Sequence, residues 1–160
     1  MSNIMQVGMA DLKAVRSPDK LMTAGLGSCI GICLIDKTAK VAGMAHIMLP
    51  SSQTSRGSSN RAKFADTAVD ALIEQMESMG ASKRRMTAKI AGGAQMFNTG
   101  NSDIMKIGER NARAVVGALN EKNIKILAQD TGGNYGRTII FDSESGDLLI
   151  RTIGLGERTI

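Results

Sequence analysis

The chain has 160 residues, of which 42% are hydrophobic, so it is long enough for one domain with one core, and we expect residues 1–160 to form it. A net charge of +5 favours an acidic partner over a basic one. Aromatic residues make up only 2% of the chain and the densest basic run is Lys83-Arg84-Arg85, so the composition argues against nucleic-acid binding.

The first residues, the hydropathy and the cysteines of the chain indicate the cellular compartment in which we expect the protein. Residues 1–10 lack the basic and then apolar pattern of a secretion signal. No stretch reaches the ~20 apolar residues that would cross a bilayer, and two cysteines do not make a disulfide framework. We therefore expect a cytoplasmic protein without membrane insertion.

The first part of the chain predicts four short strands, at residues 4–7, 12–15, 30–35 and 41–49. Ser17-Pro18-Asp19 is a turn sequence. Residues 23–29 contain Gly25 and Gly27, which predicts a loop of the kind that carries functional sites. Residues 51–60 are polar and rich in serine, which predicts a mobile loop at the mouth of any site nearby.

Two helices are predicted. Between Arg61 and Met79 the apolar residues recur on one helical face, at Ala65, Ala68, Val69, Leu72, Ile73 and Met76, and Gly80 is a natural stop. A second helix over residues 107–122 has its apolar stripe at Ala112, Val115, Val116 and Leu119.

Further strands are expected at residues 86–91, 124–129, 137–141 and 148–153. Strands interleaved with two main helices indicate a layered α/β (α+β) domain.

One histidine and two cysteines limit the available chemistry. If Lys37 and Thr38 form a two-residue hairpin loop, Cys29 lies directly opposite His46, with Cβ atoms about 4.5–5.5 Å apart. A four-residue loop would make the two residues diagonal neighbours on the same face. A three- or five-residue loop would put their side chains on opposite faces of the sheet, unless a bulge intervened. A thiol beside an imidazole can act as a nucleophile. Composition and spacing alone favour the other interpretation, a buried cysteine and a core histidine that meet by chance.

Cys33 lies about 13 Å along the same strand from Cys29, too far for a disulfide, so both should be free thiols. One histidine and two cysteines are too few soft ligands for a zinc site. Gly25 and Gly27 could leave backbone N–H groups free to bind an oxyanion, or could simply form a tight turn. The other glycine pairs do not match a nucleotide-binding motif.

The sequence resembles the CheD family of chemoreceptor glutamine deamidases over nearly its whole length. The resemblance rests on Thr-Ala-Gly-Leu-Gly-Ser-Cys at residues 23–29 and Gly-Met-Ala-His-Ile-Met-Leu-Pro at residues 43–50, with further blocks at residues 63–68, 89–97, 107–111 and 130–133. It implies a fold similar to the catalytic domain of cytotoxic necrotizing factors, a layered sandwich of mixed β-sheets. It also implies that Cys29 is the nucleophile, His46 the general base and acid, and Thr23 the residue that helps to hold the imidazole.

The implied reaction is hydrolysis of receptor glutamine side chains to glutamate, with release of ammonia, through a cysteine thioester and without a metal or organic cofactor. The implied partners are methyl-accepting chemotaxis receptors as substrates and the phosphatase CheC. The alternative is a non-catalytic adaptor that binds CheC and modulates hydrolysis of phosphorylated CheY. Both functions are compatible with one chain.

Overall fold

The computed structural model of the chain describes residues 2–54, 59–96 and 106–160. These residues form two five-stranded β-sheets and two α-helices, α1 (Ala65–Glu77) and α2 (Ile107–Glu121). The first sheet contains, in spatial order, β1 (Ile4–Gln6), β3 (Lys20–Leu26), β8 (Arg137–Asp142), β9 (Leu148–Thr152) and β10 (Gly156–Thr159). The second contains β2 (Leu12–Arg16), β5 (Val41–Ile47), β4 (Ile30–Asp36), β6 (Thr87–Gly92) and β7 (Lys125–Thr131). The expected sandwich of mixed sheets with two helices is confirmed.

The second sheet is the middle layer. Every residue of β4 and β5 is buried, because side chains that alternate along these strands pack against different layers. On one face Ile32, Leu34 and Ala45 join the core formed with the helices. On the other face Cys33 and Met44 join the core formed with the first sheet. Successive residues of the central hairpin therefore point either towards the helices or into the space between the sheets.

Helix α1 shows how directly the sequence pattern sets the packing. All six of its predicted apolar positions are buried. Helix α2 differs in one respect, because its buried positions are Gly108, Asn111, Val115 and Leu119, whereas Ala112 and Val116 are only partly buried. Neither of these helices has the length and hydropathy needed to cross a bilayer.

Two strands were missed from the sequence. Residues 23–26, expected to be loop, belong to β3, and the register of β3 against β8 shifts between Thr23 and Leu26, where Gly25 has a φ of 71°. The glycine therefore produces a bulge within a strand instead of ending it. Strand β10 was missed because all four of its residues are exposed, so it lacks an apolar alternation.

The turn between β4 and β5 contains four residues, 37–40, because Asp36 pairs with Val41. The two-residue loop considered from the sequence is wrong, and the four-residue alternative is correct. The carboxylate of Asp36 accepts a hydrogen bond from the backbone N–H of Ala39, at 3.1 Å, and so stabilises the turn. Of the polar loop expected at residues 51–60, a short 3-10 turn spans Ser52–Thr54 and residues 55–58 lie outside the described residues.

Candidate active site

His46 lies near the end of β5 and faces the space between the two sheets. Its side chain points to the same side as those of Ala42 and Met44, four and two residues earlier, which pack against the first sheet. The residue is 1% exposed. A polar ring buried this deeply requires hydrogen-bond partners, and the facing sheet supplies one.

Thr23 of β3 supplies that partner. Its Oγ1 lies 2.7 Å from Nδ1 of His46 and 2.7 Å from the carbonyl oxygen of Val7. The Val7 carbonyl can only accept, so the single hydroxyl proton of Thr23 is donated to it. Thr23 Oγ1 must then accept from the ring, which places the proton of a neutral His46 on Nδ1. The other ring nitrogen, Nε2, consequently carries a free lone pair.

That free nitrogen has no partner of its own. His46 Nε2 is buried and makes no hydrogen bond within the described part of the chain. An unsatisfied buried acceptor costs free energy, so such atoms are rare in folded proteins and concentrate at functional sites. The geometry leaves this nitrogen ready to take a proton from a group that approaches it.

Cys29 immediately precedes β4 and lies on the same side of the sheet as His46. His46 pairs with Gly31, and Cys29 is two residues before Gly31. Cys29 packs in the intersheet core together with Cys33 and Met44, which confirms the shared face. In this register the two candidate residues, Cys29 and His46, are diagonal neighbours, with Cα atoms about 7–8 Å apart. The directly opposed arrangement considered from the sequence is therefore wrong, and the diagonal one is correct.

The electrostatics of the pair favour uncharged side chains before a substrate arrives. Burial raises the pKa of the Cys29 thiol, and a hydrogen bond from its own backbone N–H offsets part of that increase. Burial also lowers the pKa of His46. Both shifts oppose a resting thiolate and imidazolium, so the two side chains rest as a thiol and a neutral imidazole.

The segment that contains Cys29 is held by hydrogen bonds to the backbone that follows β6. The carbonyl oxygen of Cys29 accepts from the N–H of Gly93, and that of Gly27 accepts from the N–H of Ala94, each at 2.9 Å. A Cβ at Gly92 would lie 2.2 Å from the Cys29 carbonyl oxygen, so only glycine permits this approach. With its carbonyls turned inward, the loop can present N–H groups to the side on which the thiol lies.

Cys33, the second thiol, is separate from this arrangement. Both cysteines are free, as expected from their spacing. Cys33 is completely buried in β4, and burial raises the pKa of its thiol strongly. It therefore fits a role in the core.

Asn111 is a further polar residue at the site, and sequence reasoning missed it. It lies on α2, is completely buried and contacts the segments next to both Cys29 and His46. The sequence does contain a signal, because Asn111 stands four residues before Val115 and eight before Leu119, on the buried stripe of the helix. A polar residue in such a stripe requires a partner.

The fold and the site define a class of protein: a two-sheet α+β sandwich in which a loop thiol and a strand imidazole share one intersheet face and a threonine of the opposite sheet fixes the ring. A family model described as CheD chemotactic sensory transduction matches residues 48–152. The chain belongs to the CheD family. The matched segment begins after Cys29 and His46, so the match does not bear on these residues.

Full-length relatives extend the similarity to the whole chain. The chain is 63% identical to a protein of Syntrophomonas wolfei named probable chemoreceptor glutamine deamidase CheD, over 100% of both chains. It is 55% identical to a Desulfitobacterium hafniense protein of the same name and 52% identical to the chemoreceptor glutamine deamidase CheD of Halalkalibacterium halodurans, again over 100% of both chains.

Proposed function

We propose that this chain is a chemoreceptor glutamine deamidase that uses Cys29 as nucleophile and His46 as general base and then general acid. The names of its full-length relatives support the substrate and the reaction. The observation that carries the assignment of residues is the free Nε2 of His46, whose tautomer is set by Thr23.

In the first half of the reaction, Cys29 Sγ attacks the carboxamide carbon of a glutamine side chain. The thiol proton passes to His46 Nε2 as the S–C bond forms, and the carbonyl oxygen gains the negative charge. Backbone N–H groups of the Cys29 loop stabilise this oxyanion. The C–N bond then breaks, Nε2 returns the proton to the departing nitrogen, and ammonia leaves a thioester behind.

In the second half, water attacks the thioester carbon and gives its proton to the same nitrogen. The C–S bond breaks, sulfur takes the proton back, and glutamate is released with the thiol restored. Thr23 acts in both halves, since a fixed proton on Nδ1 keeps Nε2 available as the acceptor each time. As a neutral hydroxyl it orients the imidazolium but provides less charge stabilisation than a carboxylate would.

The burial of the site limits the substrate. Cys29 is 8% exposed, so the reacting atom must reach a thiol close to the protein surface but not on it. A glutamine side chain is long enough to extend from a receptor into such a site while the receptor backbone remains outside. This geometry fits a protein substrate.

Deamidation of receptor cytoplasmic fragments by the wild type, Cys29→Ala and Cys33→Ala tests the proposal. Mass spectrometry follows the conversion of glutamine to glutamate. We expect Cys29→Ala to be inactive and folded, and Cys33→Ala to keep most of the activity, since its thiol lies away from His46. Retained turnover in Cys29→Ala would refute the proposal.

Binding of CheC, implied by the resemblance, stays a prediction. The two functions are separable, because an adaptor does not need the thiol. Cys29→Ala that still binds CheC but no longer deamidates receptors would show both.

A further inference from the structure

Asn111 connects the two segments that carry the proposed nucleophile and base. Its Nδ2 donates hydrogen bonds to the carbonyl oxygens of Ser28 and Met48, each at 2.9 Å. Ser28 immediately precedes Cys29, and Met48 is two residues after His46. Both N–H bonds of one side-chain amide are therefore used, one on each segment.

These bonds lie where the β-ladder between the two segments stops. The last pair of β4 and β5 is Ile30 with Ile47, so Ser28 and Met48 lie beyond the paired strands. Two carbonyl oxygens cannot pair with each other, but an NH₂ group placed between them can satisfy both. Asn111 thus continues the connection between the strands at the level of Cys29.

The remaining atom of this side chain argues against a role in packing alone. Asn111 is 0% exposed, and its Oδ1 has no hydrogen-bond partner within the described residues. An unpaired buried acceptor is unfavourable, so filling of the core would favour an apolar side chain of similar shape. What asparagine provides here, and leucine does not, is the pair of donors.

The start of α2 fixes the position of this amide. A Cβ at Gly108 would lie 2.5 Å from the carbonyl oxygens of both Gly93 and Ala94, so the first turn of the helix rests directly on that backbone. The same backbone donates from Gly93 N–H to the Cys29 carbonyl. Asn111 lies one helical turn after Gly108, so this packing also fixes the position of its side-chain amide relative to the Cys29 segment.

We infer that Asn111 is a positioning residue that sets the separation of Cys29 and His46 through the backbone of their two segments. This inference rests on the proposed function. Because Asn111 bonds to neither reacting side chain, its loss should leave receptor binding unchanged and misplace the thiol relative to Nε2. A misplacement of this kind lowers the rate by about tenfold to a hundredfold.

The test compares Asn111→Leu with Leu119→Ala, a control that removes a buried side chain two turns further along the same helix. For deamidation of receptor fragments we expect kcat to fall about tenfold to a hundredfold in Asn111→Leu with KM unchanged, and to stay near wild type in Leu119→Ala. If Asn111→Leu does not fold, Asn111→Ala replaces it, since alanine also lacks the NH₂ donors and introduces neither charge nor extra volume into the buried site.

A second readout needs no receptor. Alkylation of Cys29 by iodoacetamide should slow when His46→Ala is added to the wild type or to Leu119→Ala, because the base is then missing. In Asn111→Leu the same addition should have no further effect, since the pair is already uncoupled. Equal slowing in all three backgrounds, or equal losses of kcat in the two helix variants, would overturn the inference. Deamidation by Cys29→Ala would instead refute the proposed function and leave the alkylation result standing.

Discussion

Replacing Thr23 by valine or serine tests the hydrogen bonds that orient the base. Valine keeps the branched shape and removes the hydroxyl, whereas serine keeps the hydroxyl and removes a methyl group. If Thr23 Oγ1 fixes the proton on Nδ1, serine should preserve the tautomer of His46 and most of the activity. Valine should lose both, because nothing then prevents the proton from moving to Nε2.

The cost in stability follows from the two contacts. Thr23→Val leaves the Val7 carbonyl and His46 Nδ1, whether protonated or not, without a hydrogen-bond partner in a buried site. Each unsatisfied group costs about 1–3 kcal/mol, so we expect the free energy of unfolding to fall by about 2–6 kcal/mol. Thr23→Ser should cost about 1 kcal/mol, the value of one buried methyl group. Urea denaturation measures both.

The tautomer itself can be observed directly. The chain has one histidine, so ¹⁵N labelling of imidazole gives signals from His46 alone. In wild type and Thr23→Ser we expect a protonated Nδ1 and an unprotonated Nε2 at neutral pH. A wild-type spectrum with the proton on Nε2 would refute the reasoning, as would a Thr23→Val variant that keeps both the tautomer and full kcat.

Three further outcomes are expected. Iodoacetamide should label Cys29 in preference to Cys33, as read by peptide mass spectrometry, because Cys33 is completely buried; equal labelling would contradict the placement of the two thiols. Because burial lowers the pKa of His46, the unfolded chain binds a proton more readily than the folded one, so the free energy of unfolding should fall as pH decreases below about 6.5. His46→Gln should flatten that part of the urea-derived pH profile, and an unchanged slope would count against the shift. Arg137→Met removes a buried ion pair with Asp130 at 2.9 Å and leaves that carboxylate with the more distant and more exposed Arg158, at 3.5 Å, so it should cost about 3 kcal/mol in thermal or urea unfolding, the low end of the range for breaking a buried pair; a loss below 1 kcal/mol would mean that Arg158 and solvent replace Arg137.

Most elements could be predicted from the sequence because their apolar patterns are regular. Helix α1 is the clearest case, since every expected core position is buried. The hairpin register could not be fixed, because two- and four-residue turns both fit the residues between β4 and β5. The longer turn places Lys40 at a φ of 59°, a conformation that usually signals glycine or asparagine, so the sequence offered no marker for it.

The candidate site divides in the same way. Cys29 and His46 could be placed on the same face of the hairpin from the sequence, because hairpin loops of two and of four residues both give that result. Thr23 and Asn111 contact the site from the opposite sheet and from a helix, and local periodicity does not report which distant elements meet. Thr23 entered through family resemblance. The place of Asn111 in the apolar stripe of α2 indicates a buried polar residue, but its partners became visible only through its two hydrogen bonds.

The bond between Thr23 and His46 crosses from one sheet to the other. The proposed nucleophile and base therefore belong to one sheet, and the hydroxyl that selects the tautomer of His46 belongs to the other. A partially opened form in which the first sheet has detached would keep the thiol and the imidazole but lose control of the ring proton. Turnover therefore depends on the two sheets staying packed together. The free energy of the opening that exposes the β3 amides, measured by native-state hydrogen exchange, should equal the free energy of the opening that abolishes turnover.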